Sequence, residues 1–152
     1  MDRAKIKKPV DVLPLVKRYK NCRQENFLAI TLDGNHSAIR VHHVTKGVTN
    51  KTIIHPRECF YHAIKDNAVA VIFAHNHPSG SVDPSQEDEK ITKQLCMAGR
   101  ILGFHVLDHI IFSKYGNYES FRERGTIDDD EYSQWELEQY VAELPFNGKE
   151  EE

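Results

Sequence analysis

From residue 24 onward, apolar residues occur in short runs separated by turn-forming residues, a pattern that predicts alternating strands and helices. The first run, residues 27–32, ends at Asp33-Gly34-Asn35, and an apolar-rich stretch over residues 38–44 follows. Two such runs joined by a short turn predict a β-hairpin. The same signals next predict a strand over residues 49–55 and a helix over residues 57–67.

Residues 68–74 are apolar on both faces of the predicted strand, as expected for a central strand that other elements cover on each side. A loop over residues 78–84, rich in proline, serine and glycine, follows this strand. Ser85 then suits the N-cap of a helix with an acidic residue three positions later, and Gly103 ends that helix. The pattern closes with a strand over residues 104–112, a turn at residues 115–117 and a return strand over residues 118–121.

Charge divides the chain into a basic body and an acidic tail. Residues 1–126 carry 19 Lys and Arg against 13 Asp and Glu, whereas residues 127–152 carry 1 against 10. We therefore divide the chain into a basic N-terminal arm (1–23), one folded domain (24–126) and an acidic C-terminal tail (127–152). Because the tail competes with polyanions for the basic surface, any association with DNA is expected to be weak and salt-dependent.

Hydropathy and cysteine spacing indicate the compartment. No run approaches the roughly 18 apolar residues of a membrane span, and no apolar signal core follows the first residues. The three cysteines, Cys22, Cys59 and Cys96, are odd in number and form no C-x-x-C pair, which favours reduced thiols over disulfides or a thiolate zinc site. These features predict a cytoplasmic protein without membrane association, and they leave its oligomeric state open.

The exit of the central strand carries a pattern typical of a metal site. Residues i and i+2 of a strand share a face, so His75 and His77 present two imidazoles side by side. The first turn of the next helix brings the carboxylate of Asp88 toward them. Zinc accepts these ligands, and three protein ligands leave its fourth position for water, as in catalytic sites. The sequence therefore predicts one Zn²⁺ per chain.

Hydrolysis at such a site needs a carboxylate that is not a metal ligand. Water bound to zinc has its pKa lowered to about 7, and a nearby acid can accept its proton. Glu25 is the candidate, because it stands directly before the first core strand, which could lie beside the strand that leads to His75. The alternative reading is that Glu25 is a solvated residue at the edge of a strand.

Less specific interpretations compete for several of these residues. An isolated H-x-H is more often a pair of solvated or core histidines, although Ser85 and Asp88 at this spacing favour metal binding. Ser85 is also explained by helix capping alone. Asp108 and His109 face opposite sides of their predicted strand, so at most one of them can orient a metal-bound histidine.

The spacing of these residues resembles the JAMM (MPN-plus) metalloprotease pattern: His75-x-His77, seven residues, Ser85, two residues and Asp88, with Glu25 upstream. The strings at residues 55–58, 75–80, 84–85 and 107–111 further resemble the RadC branch of that family, and the resemblance covers residues 25–125.

This resemblance implies an α/β (α+β) fold of JAB/MPN type, a mixed β-sheet flanked by helices and related to the cytidine deaminase-like fold. It also implies zinc held by His75, His77 and Asp88, Glu25 as general acid and base, and Ser85 orienting water or stabilising an oxyanion. The implied activity is metalloprotease-like hydrolysis of a peptide-like or isopeptide-like substrate, and the family label is DNA repair.

Two other functions compete with this hydrolase. A zinc deaminase shares the fold lineage but needs an H-x-E and a P-C-x-x-C string, and the sequence contains neither. A non-catalytic, zinc-containing module that associates with DNA or has a regulatory role is compatible with the basic body and stays open as the alternative.

Overall fold

The computed structural model describes residues 2–46 and 54–129. Within these residues a single mixed sheet has the strand order β2-β1-β3-β4-β5. The strands are β1 (Asn26–Leu32), β2 (Ala38–Lys46), β3 (Ala70–Asn76), β4 (His105–Phe112) and β5 (Tyr118–Ser120), and the α-helices are α1 (Leu13–Val16), α2 (Pro56–Lys65) and α3 (Gln86–Leu102). β3 and β4 are parallel, whereas the other neighbouring strands are antiparallel. The predicted α+β fold with a mixed sheet is confirmed.

The hairpin, the central strand and the long helix lie where the sequence predicted them. β1 and β2 form the hairpin, β3 occupies the middle of the sheet, and α3 begins after Ser85 and ends before Gly103. The strand predicted over residues 49–55 lies mostly outside the described residues, as does the acidic tail from residue 130 onward. None of the helices among the described residues has the length and apolarity needed to cross a membrane.

Local chemistry fixes both ends of α3. The Ser85 hydroxyl accepts a hydrogen bond from the Asp88 backbone N–H at 3.0 Å, and Asp88 Oδ2 accepts one from the Ser85 backbone N–H at 2.9 Å. This reciprocal pair is a capping box, which satisfies two backbone donors that would otherwise lack acceptors. At the other end, Gly103 has φ of 88°, a left-handed conformation that glycine adopts without steric strain. The N-cap role of Ser85 is therefore confirmed.

Apolar side chains cover both faces of the sheet. One face packs against α2 and α3 through a core that includes Phe27, Phe60, Phe73 and Leu95. The other face packs against the N-terminal segment, from which three side chains are buried: Ile6, Val12 and Val16.

The N-terminal segment is thus part of the packed core, which begins well before Gln24. The sequence predicts a basic arm over residues 1–23 because charged residues and prolines dominate this segment. Ile6, Val12 and Val16 nevertheless pack against the second face of the sheet. Their burial excludes water from that face, which has no long helix to cover it among the described residues.

Close packing between α3 and β4 predicts that a larger residue at Gly99 destabilises the fold. A Cβ at this position would lie 2.8 Å from Val106 Cγ2 and 3.1 Å from the Phe104 carbonyl oxygen. Alanine is favoured over glycine in a helix by about 1 kcal/mol, but overpacking costs about 1–3 kcal/mol, so we expect Gly99→Ala to lower the free energy of unfolding by roughly 1 kcal/mol.

Urea denaturation measures this change. Gly34→Ala is the matched control, because a Cβ there meets no atom within 4 Å, and its stability should equal or slightly exceed that of the wild type. A Gly99→Ala protein as stable as the wild type would contradict the close approach of α3 to β4.

Candidate metal centre

Strand pairing brings the four predicted chemical groups to one end of the sheet. In the antiparallel pair of β1 and β3, Phe27 lies opposite His75, so Glu25, just before β1, reaches the exit of β3. Asp88 lies in the first turn of α3, which starts at the same end. The adjacency of β1 to the central strand, on which the prediction for Glu25 depended, is thus present.

The side-chain atoms of this cluster are close enough to share one ion. His75 Nε2 lies 3.1 Å from His77 Nε2 and 3.5 Å from Asp88 Oδ1, and His77 Nε2 lies 3.6 Å from Asp88 Oδ2. Glu25 Oε1 lies 3.4 Å from His75 Nε2 and 4.0 Å from His77 Nε2. One ligand atom from each of these residues falls within 4.8 Å of every other.

These separations fit a tetrahedral metal ion. Ligands about 2.0–2.2 Å from a zinc-sized ion stand about 3.3–3.6 Å apart at the corners of a tetrahedron. The distances of 3.5 and 3.6 Å from the histidine nitrogens to the two Asp88 oxygens fall in that range, and the 3.1 Å between the two nitrogens is slightly shorter. Two imidazole nitrogens and a carboxylate oxygen are also a donor set that suits such an ion. The residues present therefore fit a metal ion.

Burial distinguishes the members of the cluster. The side chains of His75 and Asp88 are 0% and 1% exposed, whereas those of His77 and Glu25 are 17% and 19% exposed. Solvent can therefore reach the cluster from the side of His77 and Glu25. Distance alone places Glu25 within reach of an ion, and its greater exposure puts it on the solvent-facing side of the cluster.

The ring of His77 is oriented by the loop that follows β3. His77 Nδ1 lies 2.8 Å from the Ser81 carbonyl oxygen. A carbonyl can only accept a hydrogen bond, so Nδ1 carries the hydrogen and donates it. In the neutral ring, Nε2 then has the lone pair and faces the cluster, which is the state a metal ligand requires.

The charge state of Asp88 also suits a ligand. Burial by itself would raise the pKa of this carboxyl, because it disfavours the charged form. Imidazoles of His75 and His77 that carry a hydrogen on the side of this carboxylate, as they can when no ion is bound, together with the Ser85 backbone N–H, outweigh burial and hold the pKa of Asp88 well below its ordinary value. The carboxylate is therefore anionic at neutral pH and available as an oxygen donor.

Asn76 has a role that the sequence analysis missed. Its side chain is buried and points away from the two neighbouring histidines. Asn76 Oδ1 accepts a hydrogen bond from the Asn26 backbone N–H at 2.6 Å, and Asn76 Nδ2 donates one to the Gln24 carbonyl at 3.0 Å. These bonds hold the backbone on both sides of Glu25 against β3. The only sequence signal was an amide between two histidines, with no indication of its partners.

The structure distinguishes His109 from Asp108, the two candidates for orienting a histidine. His109 Nε2 lies 2.7 Å from His75 Nδ1, on the metal side of the sheet. Asp108 instead accepts hydrogen bonds from the Ser120 hydroxyl and from the Arg122 backbone N–H. Burial raises the pKa of Asp108 above its ordinary value despite these bonds. Asp108 therefore joins β4 to β5 and the turn after it, and does not reach the cluster.

Comparison with known proteins shows which family this chain resembles. A family model described as "RadC-like JAB domain" matches residues 6–126. The UPF0758 protein of Pelobacter propionicus is 51% identical over 108 residues, which cover 71% of this chain and 47% of the relative. The UPF0758 protein of Methanospirillum hungatei is 43% identical over 128 residues, which cover 83% and 56% respectively. The chain thus spans about half the length of these curated relatives.

The cluster predicts that the purified protein contains about one metal ion per chain. We expect His75→Ala, His77→Ala and Asp88→Ala each to reduce metal content to background, because each removes one of three ligands from a site with little redundancy. Elemental analysis after removal of loosely bound ions measures this.

His105→Ala is the control for these variants, since His105 starts β4 at the opposite end of the sheet and its side chain is 48% exposed. It should retain the metal. Full metal content in a folded His75→Ala, His77→Ala double variant would show that the ion lies elsewhere.

Proposed function

The chain belongs to the family of RadC-like JAB domains, and from this premise we propose that it is a zinc-dependent hydrolase that cleaves peptide-like or isopeptide-like bonds. The observation that carries the proposal is the approach of Glu25 to two histidines and an aspartate at distances of 3.4–4.0 Å from the histidine nitrogens. A structural metal site needs no partly exposed carboxylate at its opening, whereas a hydrolytic site does.

His75, His77 and Asp88 would hold the ion, with His75 and Asp88 on its buried side. When bound, zinc acts as a Lewis acid that polarises a carbonyl and makes water a better nucleophile at neutral pH. The two buried members of this set, His75 and Asp88, come from β3 and α3, which are packed into the core. Their rigid placement favours preorganised binding, because little structure has to move when the ion enters.

Glu25 is proposed to move the proton. Its carboxylate lies at the partly exposed side of the cluster, where it can accept a proton from the attacking water and then donate it to the leaving amine. Asn76 supports this role indirectly, since its hydrogen bonds fix the backbone at Gln24 and Asn26 on either side of Glu25. A carboxylate that was only a solvated edge residue would not need such support.

Ser85 is proposed to add a hydrogen bond at the site. Its oxygen already accepts the Asp88 backbone N–H, and this leaves the hydroxyl hydrogen to be donated to another acceptor. A donor beside the Asp88 carboxylate could stabilise negative charge that develops on a substrate oxygen. Because Ser85 also caps α3, its substitution would affect both stability and chemistry, and it is a poor first test of mechanism.

Glu25→Gln tests the proposed chemistry. We expect this variant to keep its zinc and its fold but to lose activity by about 10²–10⁴-fold, because the amide is nearly isosteric and cannot accept a proton. The measurement is a cleavage screen of peptide, isopeptide and nucleic-acid substrates with zinc-loaded wild type and variant in parallel.

Glu58→Gln, on the exposed side of α2, is the matched control and should cleave like the wild type. Loss of zinc from Glu25→Gln would identify Glu25 as a ligand. Equal cleavage by wild type and Glu25→Gln would show that the general base is another residue. If no substrate of any class is cleaved while zinc is fully bound, the catalytic proposal fails.

The alternative, a zinc-containing module that associates with DNA, is favoured by a separate observation. The segment that leads to Glu25 exposes four basic side chains, namely Lys17, Arg18, Lys20 and Arg23. These residues precede β1 in the chain, and the Cys22 carbonyl in the same segment accepts a hydrogen bond from Asn76, the neighbour of His75 and His77. A few phosphate contacts of this kind give weak binding without sequence preference.

A fluorescence titration with duplex DNA at two salt concentrations tests this alternative. We expect the logarithm of the binding constant to fall with the logarithm of salt concentration, with a slope of about −3 to −4 for four neutralised phosphates. Deletion of residues 130–152, which carry eight acidic residues against one basic residue, should strengthen binding. This deletion spares Ile127, which is buried, and Asp129, which pairs with Arg122. Tight, salt-insensitive binding to one sequence would contradict this prediction.

A further inference from the structure

Three buried polar side chains form a chain of short contacts behind the metal centre. His75 Nδ1 lies 2.7 Å from His109 Nε2, and His109 Nδ1 lies 2.6 Å from Thr92 Oγ1. Thr92 Oγ1 in turn lies 2.6 Å from the backbone carbonyl oxygen of Asp88. Each side chain comes from a different element: His75 from β3, His109 from β4 and Thr92 from α3. The chain of contacts therefore joins two of the proposed ligands from behind.

Hydrogen counting fixes the direction of these bonds at the Asp88 end. A carbonyl oxygen has no hydrogen, so the bond between Thr92 and Asp88 uses the hydroxyl hydrogen of Thr92. Thr92 has no second hydrogen to donate, and the contact between its oxygen and His109 therefore requires a hydrogen on Nδ1 of His109. Thr92 acts on His109 as an acceptor.

The same counting then reaches His75. A neutral His109 that carries its hydrogen on Nδ1 has only a lone pair on Nε2. The 2.7 Å contact consequently requires a hydrogen on Nδ1 of His75, and this leaves a lone pair on its Nε2. Nε2 is the atom of His75 that faces His77, Asp88 and Glu25.

The surroundings of His109 favour its neutral form. The ring is fully buried, stacks on Phe121 with centroids 4.6 Å apart, and meets the edge of Phe27 at 5.5 Å. A second hydrogen on this imidazole would place a positive charge between two apolar rings, and such surroundings disfavour the charged form. It would also force Nε2 of His109 to donate to His75 and reverse the order of the bonds.

We infer that Thr92 and His109 are positioning residues that hold His75 in the tautomer able to bind a metal ion through Nε2. The inference rests on the proposed metal site and adds to it a fixed hydrogen-bond direction, set by the carbonyl of Asp88. Thr92 and His109 touch neither the ion nor a substrate; they act through His75.

Thr92→Val is the sharpest perturbation, because valine has nearly the shape of threonine and lacks the acceptor. Nδ1–H of His109 then loses its partner in a buried site, and the tautomer with hydrogen on Nε2 becomes the better one. That tautomer donates to His75 Nδ1 and shifts the hydrogen of His75 to Nε2, where it blocks a metal ion. Loss of such an outer hydrogen bond typically weakens metal affinity by about 10–100-fold.

The first experiment measures the zinc dissociation constant by competition with a chromophoric chelator, using the full chain. We expect Thr92→Val to bind zinc about 10–100-fold more weakly than the wild type, and Thr92→Ser, which keeps the hydroxyl, to bind within a few fold of it. Thr31→Val is the matched control. Its hydroxyl is also buried and donates to Asp66 at 2.7 Å, outside the metal cluster, so zinc affinity should not change.

The second experiment observes the tautomer directly by two-bond ¹⁵N–¹H NMR correlations in the zinc-free protein. We expect the hydrogen of His75 on Nδ1 in the wild type and in Thr92→Ser, and on Nε2 in Thr92→Val. A general loss of packing would not produce this exchange of sites.

Either experiment can overturn the inference. Equal zinc affinity of Thr92→Val and wild type would overturn it. So would a Thr92→Ser variant that binds zinc as weakly as Thr92→Val does, and so would a wild-type His75 that carries its hydrogen on Nε2. A wild-type chain that takes up no zinc overturns the metal site itself and this inference with it, so the two failures are distinguishable.

Discussion

The burial of His75 and Asp88 beside each other is the constraint on which the rest of the structure depends. Burying an imidazole and a carboxylate disfavours folding unless each polar atom has a partner of the right kind. The fold supplies such partners from several directions: the Ser85 backbone N–H reaches Asp88, and His109 reaches His75. The other polar atoms of the pair, His75 Nε2 and Asp88 Oδ1, lie 3.5 Å apart within the cluster.

Asp88 links stability to the proposed chemistry. Its Oδ2 completes the capping box of α3, and its Oδ1 lies 3.5 Å from His75 Nε2. Its backbone carbonyl accepts the hydrogen bond from Thr92. The first turn of α3 thus caps the helix, carries a proposed ligand and accepts the hydrogen bond that we infer to orient a second proposed ligand. A substitution here changes helix capping and metal binding together, which is why conservative variants of Glu25 and Thr92 separate the effects better.

Sequence reasoning correctly predicted the features that depend on short-range geometry. His75 and His77 share a strand face because side chains alternate, and Ser85 and Asp88 cap a helix because they stand three residues apart. Glu25 was identified on the assumption that β1 lies beside β3, which the register of Phe27 with His75 supplies. The roles that the sequence did not predict, those of the N-terminal segment and of His109, depend on long-range packing. The basic N-terminal segment buries Ile6 and Val16. His109 meets Thr92 and His75 only because β4 pairs parallel with β3 and α3 packs over both strands.

The central claim is that this cluster holds zinc through two imidazoles and oxygen donors. Zinc-edge X-ray absorption of the zinc-loaded full chain tests it most directly. The account predicts scattering from two imidazole rings at about 2.0–2.1 Å and from oxygen at about 2.0–2.2 Å, in a four-coordinate site without sulfur. A sulfur shell at about 2.3 Å, or a site without imidazole scattering, would place the ion on other residues and contradict the account.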